Sequence, residues 1–374
     1  NERVIRPRLS DAAFFFANDK QSPLISRQER LGSVVFQHHL GSLLDKTHRI
    51  VAIAKQLADA MGADEATAVR AAALSKCDLV SEMVLEFPEL QGIAGAEYAR
   101  HDDEPAGVAE AIEYHYYPRF AGDELPPSPE ATAVALADRL DTLVGIFGIG
   151  EPPTGSKDPF ALRRASLAVI RMLINLKKPL SLTGLLQAVV EQHSADLSPD
   201  TPDVVSNYIT ERLGNWYDDD GINISVVRAA LAAGATDLFD IDLRVRALNA
   251  FAKTETAEHL AAANKRVANI LAKADNLDGT PADPNLFVHE AEHALHEAIS
   301  RVGSTLAPLL ADRNYQSALD ELAQLRGPVD AFFDGVMVNA EDPAERLNRL
   351  RLLDGLRALF TQVADLALLS SAAE

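Results

Sequence analysis

Apolar residues recur at helical intervals along most of the chain, and the alternation expected of β-strands is scarce. The stretch 131–147 carries one such stripe, with charged residues between its apolar members. Similar stripes run through 161–176, 260–274 and 345–369. Residues three, four and seven positions apart share one face of an α-helix, so each stripe predicts a helix with one buried side. We therefore expect an all-α protein whose last stripe forms a single long helix.

Proline- and glycine-rich segments interrupt these helices. They predict a loop over 118–129, a connection over 145–159 that closes the first domain, and a loop over 275–285. Asp158 followed by Pro159 predicts the start of the helix after the connection, because Asp caps helices and Pro suits the first helical position.

Length and charge limit the classes of function. A chain of 374 residues suggests two or three domains. Its 35 Lys and Arg against 55 Asp and Glu give a net charge of −20. This excludes a general nucleic-acid coat, because attraction to phosphate needs positive charge, but it leaves room for local basic faces that bind RNA.

The cysteine content and the first residues indicate the compartment. Cys77 is the only cysteine, which excludes an intrachain disulfide and suits a reducing cytosol. No apolar run approaches the roughly 18 residues of a membrane span. The chain starts at Asn1 without a methionine or a leader pattern. We therefore expect a fragment of a soluble, cytoplasmic protein.

Residues 289–293 read H-E-A-E-H, a pattern in which two histidines on one helix face can bind zinc. A metzincin continues with glycine and a third histidine, whereas His296 and Ile299 stand at those positions. We favour an exposed acidic helix in which His and Glu occur by chance.

A second pattern of His and Asp spans successive predicted helices. Its members are His48, Cys77, Asp78, His101, His115 and Asp138, with Asp141 as an alternative to Asp138. Their order and spacing resemble the HD-domain phosphohydrolases, in which His and Asp on neighbouring helices hold a divalent metal that activates water. Lys76 and Cys77 stand where that superfamily has its paired His-Asp, and a lysine would repel the ion. We expect a degenerate site without metal; alternatively, His115 is a hydrogen-bonded core histidine.

Two groups of basic residues stand out from the acidic chain. The first comprises Lys157, Arg163, Arg164, Arg171, Lys177 and Lys178, among which Arg164, Arg171 and Lys178 recur every seven residues, near one helix face. In the second, Arg266, Asn269 and Lys273 lie away from the apolar stripe, in a register suited to phosphates. The alternative for both groups is an ordinary solvated face.

Many short segments, taken in order, resemble one family over essentially the whole chain. They are 1–4 (NERV), 9–12 (LSDA), 14–16 (FFF), 40–43 (LGSL), 74–79 (LSKCDL), 83–92 (MVLEFPELQG), 98–101 (YARH), 117–120 (YPRF), 137–141 (ADRLD), 157–164 (KDPFALRR), 263–266 (ANKR) and 332–338 (FFDGVMV). The succession resembles the C-terminal part of the beta subunit of the bacterial tetrameric glycyl-tRNA synthetases.

This resemblance implies a division of the chain into four segments. An N-terminal connecting segment (1–22) precedes an HD-like helical domain (23–150), a helical linker or body region (151–240) and a helical anticodon-binding domain of the DALR type (241–374). The last domain is similar to that of class I synthetases such as the arginyl enzyme. That likeness lies in 332–338 and in Arg346, Asn348, Arg349 and Arg351.

The resemblance also implies a role in glycyl-tRNA synthesis. Glycine activation, with ATP and Mg²⁺, belongs to a separate alpha subunit, and the beta subunit mainly recognises tRNA(Gly) in a tetramer of two alpha and two beta subunits. We therefore expect no catalytic residue, cofactor, metal or membrane contact in this fragment. One alternative is a metal-dependent phosphohydrolase that uses His48, His101, His115 and Asp138. Another is a structural role, in which the HD-like domain docks the alpha subunit without touching RNA.

The basic residues then become candidates for tRNA contact. We expect Lys265, Arg266, Lys273 and Arg349 to contact the anticodon arm. Lys157, Arg163 and Arg164 would face another part of the tRNA or the alpha subunit. The alternative for the helix around 264 is that Asn264 and Arg266 cap or brace neighbouring helices.

Overall fold

The computed structural model describes residues 2–274, 277 and 279–372. Within them the chain is α-helical apart from one short antiparallel hairpin, which confirms the all-α prediction. No helix in this part is long and apolar enough to cross a membrane. The backbone forms two compact units, of which the first ends at Arg212 and the second begins at Leu213. The division into four segments stays a prediction.

The first unit is organised around one buried helix. Its elements are α1 (Glu2–Asp19), β1 (Val35–Gln37), β2 (Gly41–Ser42), α2 (Leu43–Met61), α3 (Glu65–Leu74), α4 (Glu82–Glu86), α5 (Ile93–His101), α6 (Ala106–Tyr114), α7 (Pro129–Gly148), α8 (Leu162–Leu176), α9 (Leu182–Val190) and α10 (Thr201–Thr210), with 3₁₀ turns at Leu24–Ser33, Cys77–Val80 and Pro88–Leu90. Helices α2, α3, α6 and α8 pack around α7, most of whose residues are buried. A helix enclosed in this way carries its polar residues into the interior.

The second unit is a separate helical assembly. Its elements are α11 (Leu213–Asp219), α12 (Ile224–Leu231), α13 (Leu238–Phe251), α14 (Glu255–Leu271), α15 (Glu290–Ala311), α16 (Tyr315–Ala323), α17 (Arg326–Gly335) and α18 (Pro343–Thr361), with 3₁₀ turns at Pro284–Leu286 and Leu366–Ala372. Helix α14 packs against α16, α17, α18 and the last 3₁₀ turn. Its opposite side is left to carry charged residues.

The start of α8 differs from its prediction. The helix begins at Leu162, because Ala161 adopts a left-handed conformation with φ of 55°. Asp158 still caps it from a distance, since its carboxylate accepts hydrogen bonds from the backbone N–H groups of Leu162 (2.7 Å) and Arg163 (3.1 Å). The capping residue was therefore predicted correctly and the first helical residue was not.

The C-terminal stripe does not form one long helix. Helix α18 ends at Thr361, and a 3₁₀ turn follows at Leu366–Ala372. The Arg244 guanidinium accounts for the break, because it donates to the backbone carbonyls of Gln362 (2.7 Å) and Val363 (2.8 Å). The predicted loop 275–285 lies partly outside the described residues.

Candidate nucleic-acid interface

A cluster of buried charges surrounds Asp138 on α7. The Lys46 amine on α2 lies 2.9 Å from one carboxylate oxygen, and the Lys76 amine lies 2.8 Å from the other. Lys76 is also 2.9 Å from Nε2 of His115, whose Nδ1 lies 2.6 Å from the carbonyl oxygen of Ile112. Two lysine amines therefore converge on one carboxylate, and an imidazole contacts one of these amines.

The pKa shifts follow from this arrangement. Burial acts to raise the pKa of Asp138, but Lys46 and Lys76 outweigh it and hold that pKa well below its usual range. Burial, reinforced by Lys76, lowers the pKa of His115 well below its usual value, so the ring is neutral at pH 7. Its Nδ1–H then donates to Ile112, and its Nε2 accepts from Lys76. The positive charge next to Asp138 comes from lysine amines.

Asp141, the predicted alternative to Asp138, joins this cluster, because its carboxylate lies 2.9 Å from the same Lys46 amine. The remaining members of the predicted His-Asp pattern lie apart from it. His48 and His101 are exposed. The buried Cys77 thiol lies 3.6 Å from the carbonyl oxygen of Ala73, and burial raises its pKa to about 12. Asp78 accepts hydrogen bonds from the N–H groups of Gly92 (2.6 Å) and Gly95 (3.1 Å).

The phosphohydrolase alternative is therefore wrong. It required His48 and His101 to join His115 and Asp138, and the structure brings only the last two together. In the described residues no group of three or more His, Cys, Asp or Glu side chains is placed to hold a metal. Sequence reasoning identified Lys76 as the disturbing residue but missed Lys46, which lies two positions before His48 on the side of α2 that faces α7.

The H-E-A-E-H segment forms a helix cap. His289 precedes the first residue of α15, and the Glu292 side chain accepts from its backbone N–H at 2.8 Å. The Glu292 carboxylate is buried and pairs with Arg349 at 2.9 Å. The motif's second Glu is thus structural, and the segment is not a helix face with two histidines.

The basic residues of the first unit do not form one free row. Arg171 donates to the Asp123 carbonyl oxygen at 2.7 Å, and Lys178 donates to the Met61 carbonyl oxygen. Arg163 is half-buried and donates to the carbonyl oxygen of Gly155. Lys157 and Arg164 are exposed, and within the described residues neither has a carboxylate within 4 Å. Two of the three predicted contact residues here are therefore open to a partner.

The outer face of α14 carries the second basic group. Lys265, Arg266 and Lys273 are exposed, and no carboxylate in the described part of the chain lies within 4 Å of them. The Arg266 guanidinium lies 4.1 Å above the centre of the Phe333 ring on α17. Asn264 is buried and donates to the Leu260 carbonyl oxygen of its own helix at 2.9 Å. Arg266 therefore braces α17 while it stays accessible.

Arg349 was expected to contact the anticodon arm, which requires an exposed side chain, but the structure buries it. Its side chain is only 3% exposed, because α18 packs it against α15, where it pairs with Glu292. It also donates to the Met337 carbonyl oxygen at 3.0 Å. Met337 follows α17, and its side chain is 76% exposed. Arg349 thus positions this exposed residue and is not itself a contact surface.

Two family models and several curated proteins are similar in sequence to this chain. A family model described as the glycyl-tRNA synthetase beta subunit matches residues 1–232, and one described as the DALR anticodon binding domain matches residues 260–369. The glycine–tRNA ligase beta subunit of Chromohalobacter salexigens is 52% identical over 369 residues, which cover 98% of this chain and 54% of that protein. The glycine–tRNA ligase beta subunit of Haemophilus influenzae strain PittGG is 50% identical over 372 residues, which cover 99% of this chain and 54% of that protein. The chain spans about half the length of the curated relatives it matches.

Proposed function

The chain belongs to the glycyl-tRNA synthetase beta subunit family, and from that membership we propose that it recognises the tRNA of a glycine–tRNA ligase. In the proposed reaction glycine, ATP and tRNA(Gly) give glycyl-tRNA in the cytoplasm. The bond-forming steps, with ATP and Mg²⁺, take place on a separate alpha subunit in a tetramer of two alpha and two beta subunits. The chain described here contributes binding surface and no catalytic residue.

The observation that carries this proposal is the outer face of α14. Its three open cations lie within the segment that matches the anticodon-binding model, on a chain whose net charge is −20. Cations left without carboxylate partners attract phosphates and release counterions on binding. The Arg266 guanidinium on the Phe333 ring adds a planar group beside an aromatic one, a combination suited to unstacked bases.

The first unit supplies a second proposed contact surface. Lys157, Arg163 and Arg164 face either another part of the tRNA or the alpha subunit. Lys157 and Arg164 are the stronger members, because the Arg163 guanidinium already donates to Gly155. We no longer propose that Arg349 contacts the tRNA. It is a positioning residue, because its guanidinium holds the backbone of the exposed Met337.

A titration with tRNA(Gly) at two salt concentrations, with and without the alpha subunit, tests the proposal. Replacing Lys273→Ala should weaken binding about threefold and reduce the slope of log affinity against log salt by about one. Lys253→Ala is the matched control, because Lys253 is an exposed lysine of the same unit that precedes α14. Equal affinity and slope for the two variants would remove the α14 face from the interface. A parent chain that ignores tRNA(Gly) under all four conditions would overturn the proposed function.

A further inference from the structure

A cavity of about 430 Å³ opens beside the Asp138 cluster in the first unit. Side chains that carry its chemistry are Tyr116, Tyr117, Arg119, Asp138, Arg139 and Arg164. Three of these are arginines, brought together from the segment after α6, from α7 and from α8. The charge partners of each arginine decide what the cavity can accept.

Arg139 is a partly buried guanidinium without a counterion. It donates to the backbone carbonyl oxygens of His115 (2.8 Å), Ala135 (2.9 Å), Tyr116 (2.8 Å) and Pro118 (3.1 Å), which engage all four N–H groups of its two terminal nitrogens. In the described residues no carboxylate lies within 4 Å of it. Burial lowers its pKa to about 10, although Asp138 acts in the opposite direction. A desolvated cation held only by carbonyl dipoles is stabilised further when an anion approaches.

The other arginines differ in their partners. Arg164 lines the same cavity from α8 and has no carboxylate within 4 Å in the described part of the chain. Arg119 is already neutralised by Asp123 at 2.9 Å. Arg164 is therefore able to donate to a ligand, and Arg139, whose terminal N–H groups are engaged, adds an uncompensated positive charge beside it.

The remaining charges leave the inner wall positive. Asp138 is matched by Lys46 and Lys76, so its carboxylate cannot neutralise Arg139 as well. At the rim, Glu113 pairs with Arg100, which leaves Glu89 as the acidic lining residue without such a pair in the described residues. The opening thus has an anion-attracting interior and a weakly acidic edge.

The aromatic lining suggests what accompanies the anion. Tyr116, Tyr117 and Phe160 line the cavity. The volume is at the lower end of the range for small-molecule sites. Lys76 lies 4.2 Å from the centre of the Tyr116 ring, and Arg119 lies 4.2 Å from that of Tyr117. A phosphate beside two arginines therefore matches one nucleotide whose base lies against Phe160.

We propose that this cavity binds the phosphate of a single nucleotide unit through hydrogen bonds from Arg164 and the uncompensated positive charge of Arg139. The nucleotide is either a free mononucleotide or an unpaired nucleotide of an RNA. Binding breaks no bond and needs no metal. For a nucleotide of an RNA the assignment rests on the proposed function, because Arg164 also belongs to the second proposed contact surface; the α14 face is not involved.

Adenosine monophosphate and adenosine are the probes, titrated into the full chain by calorimetry. The monophosphate should bind and adenosine should not, because the phosphate supplies the recognised charge. Arg164→Gln should weaken the monophosphate about tenfold, as expected when one charge-assisted hydrogen bond is lost. Lys177→Gln is the control, because it removes one exposed positive charge from the other end of α8, away from the cavity. Equal binding of the two probes, no binding of the monophosphate, or equal effects of the two variants would overturn the proposal.

Competition with tRNA(Gly) separates the two sources of the nucleotide. If the tRNA displaces the monophosphate, the site holds an unpaired nucleotide of the RNA. If both bind together, the site serves a free nucleotide. If the cavity does not bind the monophosphate, Lys273→Ala should still weaken tRNA binding. Failure of the nucleotide proposal can therefore be distinguished from failure of the proposed function.

Discussion

Lysine side chains serve opposite purposes in the two units. In the first unit, Lys46 and Lys76 are buried against the carboxylate of Asp138. In the second unit, Lys265 projects from α14 and Lys273 from the turn directly after it, and neither has a carboxylate within 4 Å in the described residues. Both pairs lie on or next to helices with an apolar face. What separates them is whether a neighbouring helix presents an acidic residue across the packing contact.

This difference has an energetic consequence. Removing one partner of a buried ion pair leaves a desolvated charge without compensation, which is strongly destabilising. Removing an exposed lysine changes the free energy of unfolding little, and its effect falls on the binding of anions. The Asp138 cluster is therefore expected to control stability, whereas the α14 face is expected to control affinity.

The largest effect should come from Asp138→Asn. The substitution keeps the side chain's size but leaves the buried Lys76 without a carboxylate within 4 Å in the described residues, whereas Lys46 keeps Asp141 at 2.9 Å. We expect the free energy of unfolding to fall by about 4 kcal/mol. Urea unfolding followed by far-ultraviolet circular dichroism measures it. Adding Lys76→Met to this variant should recover part of the loss, because the buried amine that lost its carboxylate is then gone.

The control for this prediction is Asp59→Asn, at an exposed position near the end of α2. It removes the same charge without uncovering a buried cation, so its unfolding midpoint should match that of the parent chain. If both Asn variants unfold at the same urea concentration, the cluster does not hold the first unit together.

Sequence reasoning succeeded where the information is local. The stripes that predicted α7 and α14 depend on neighbours within two helical turns, and these helices lie where they were expected. The pattern also placed His115 and Asp138 in one site. It missed Lys46, because nothing in α2 itself shows that α7 lies opposite.

The arginines show the same limit more sharply. Arg266 and Arg349 both follow helical patterns with polar neighbours, and both were expected to be exposed. Only Arg266 is, because α15 brings the buried Glu292 to Arg349. That Glu lies in the H-E-A-E-H segment, for which we favoured an exposed acidic helix and not a buried ion pair. Whether a charged side chain is buried depends on whether another helix supplies its partner. The sequence pattern of one helix does not show this.

The second-largest effect on stability is expected for substitution of the buried arginine. Arg349→Met should lower the stability of the second unit by about 3 kcal/mol, because it leaves the Glu292 carboxylate buried and unpaired. Trp216, the only tryptophan, lies in α11 of the same unit, so its fluorescence reports this unfolding.

Arg266→Met is the matched variant for that measurement. It removes the same group from an exposed position, and it should leave the Trp216 transition nearly unchanged while it weakens tRNA(Gly) binding. The comparison fails if the two variants shift the transition equally, or if Arg349→Met alone changes the salt dependence of tRNA binding.

The smallest expected effect on the free energy of unfolding comes from Asp78 in the first unit. No cationic side chain lies within 4 Å of its carboxylate in the described residues. Burial raises the pKa of Asp78 to about 6, although the N–H groups of Gly92 and Gly95 act against it. Asp138 is also buried, yet its two lysines lower its pKa. Burial alone raises the pKa of a carboxyl group in this interior, and a carboxylate paired with lysine keeps a low pKa despite its burial.

Asp78→Asn tests this by way of pH. Because the pKa of Asp78 is higher in the folded than in the unfolded chain, the folded state holds the proton more tightly. The stability that this adds is present at low pH and is lost as the pH rises through about 6. Asparagine can accept the same two backbone hydrogen bonds and does not titrate. The difference in unfolding free energy between variant and parent should therefore move in the variant's favour by about 1 kcal/mol from pH 5 to pH 7.5. A difference that stays constant over this range would show that Asp78 is ionised throughout, and that burial without a cation does not distinguish it from Asp138.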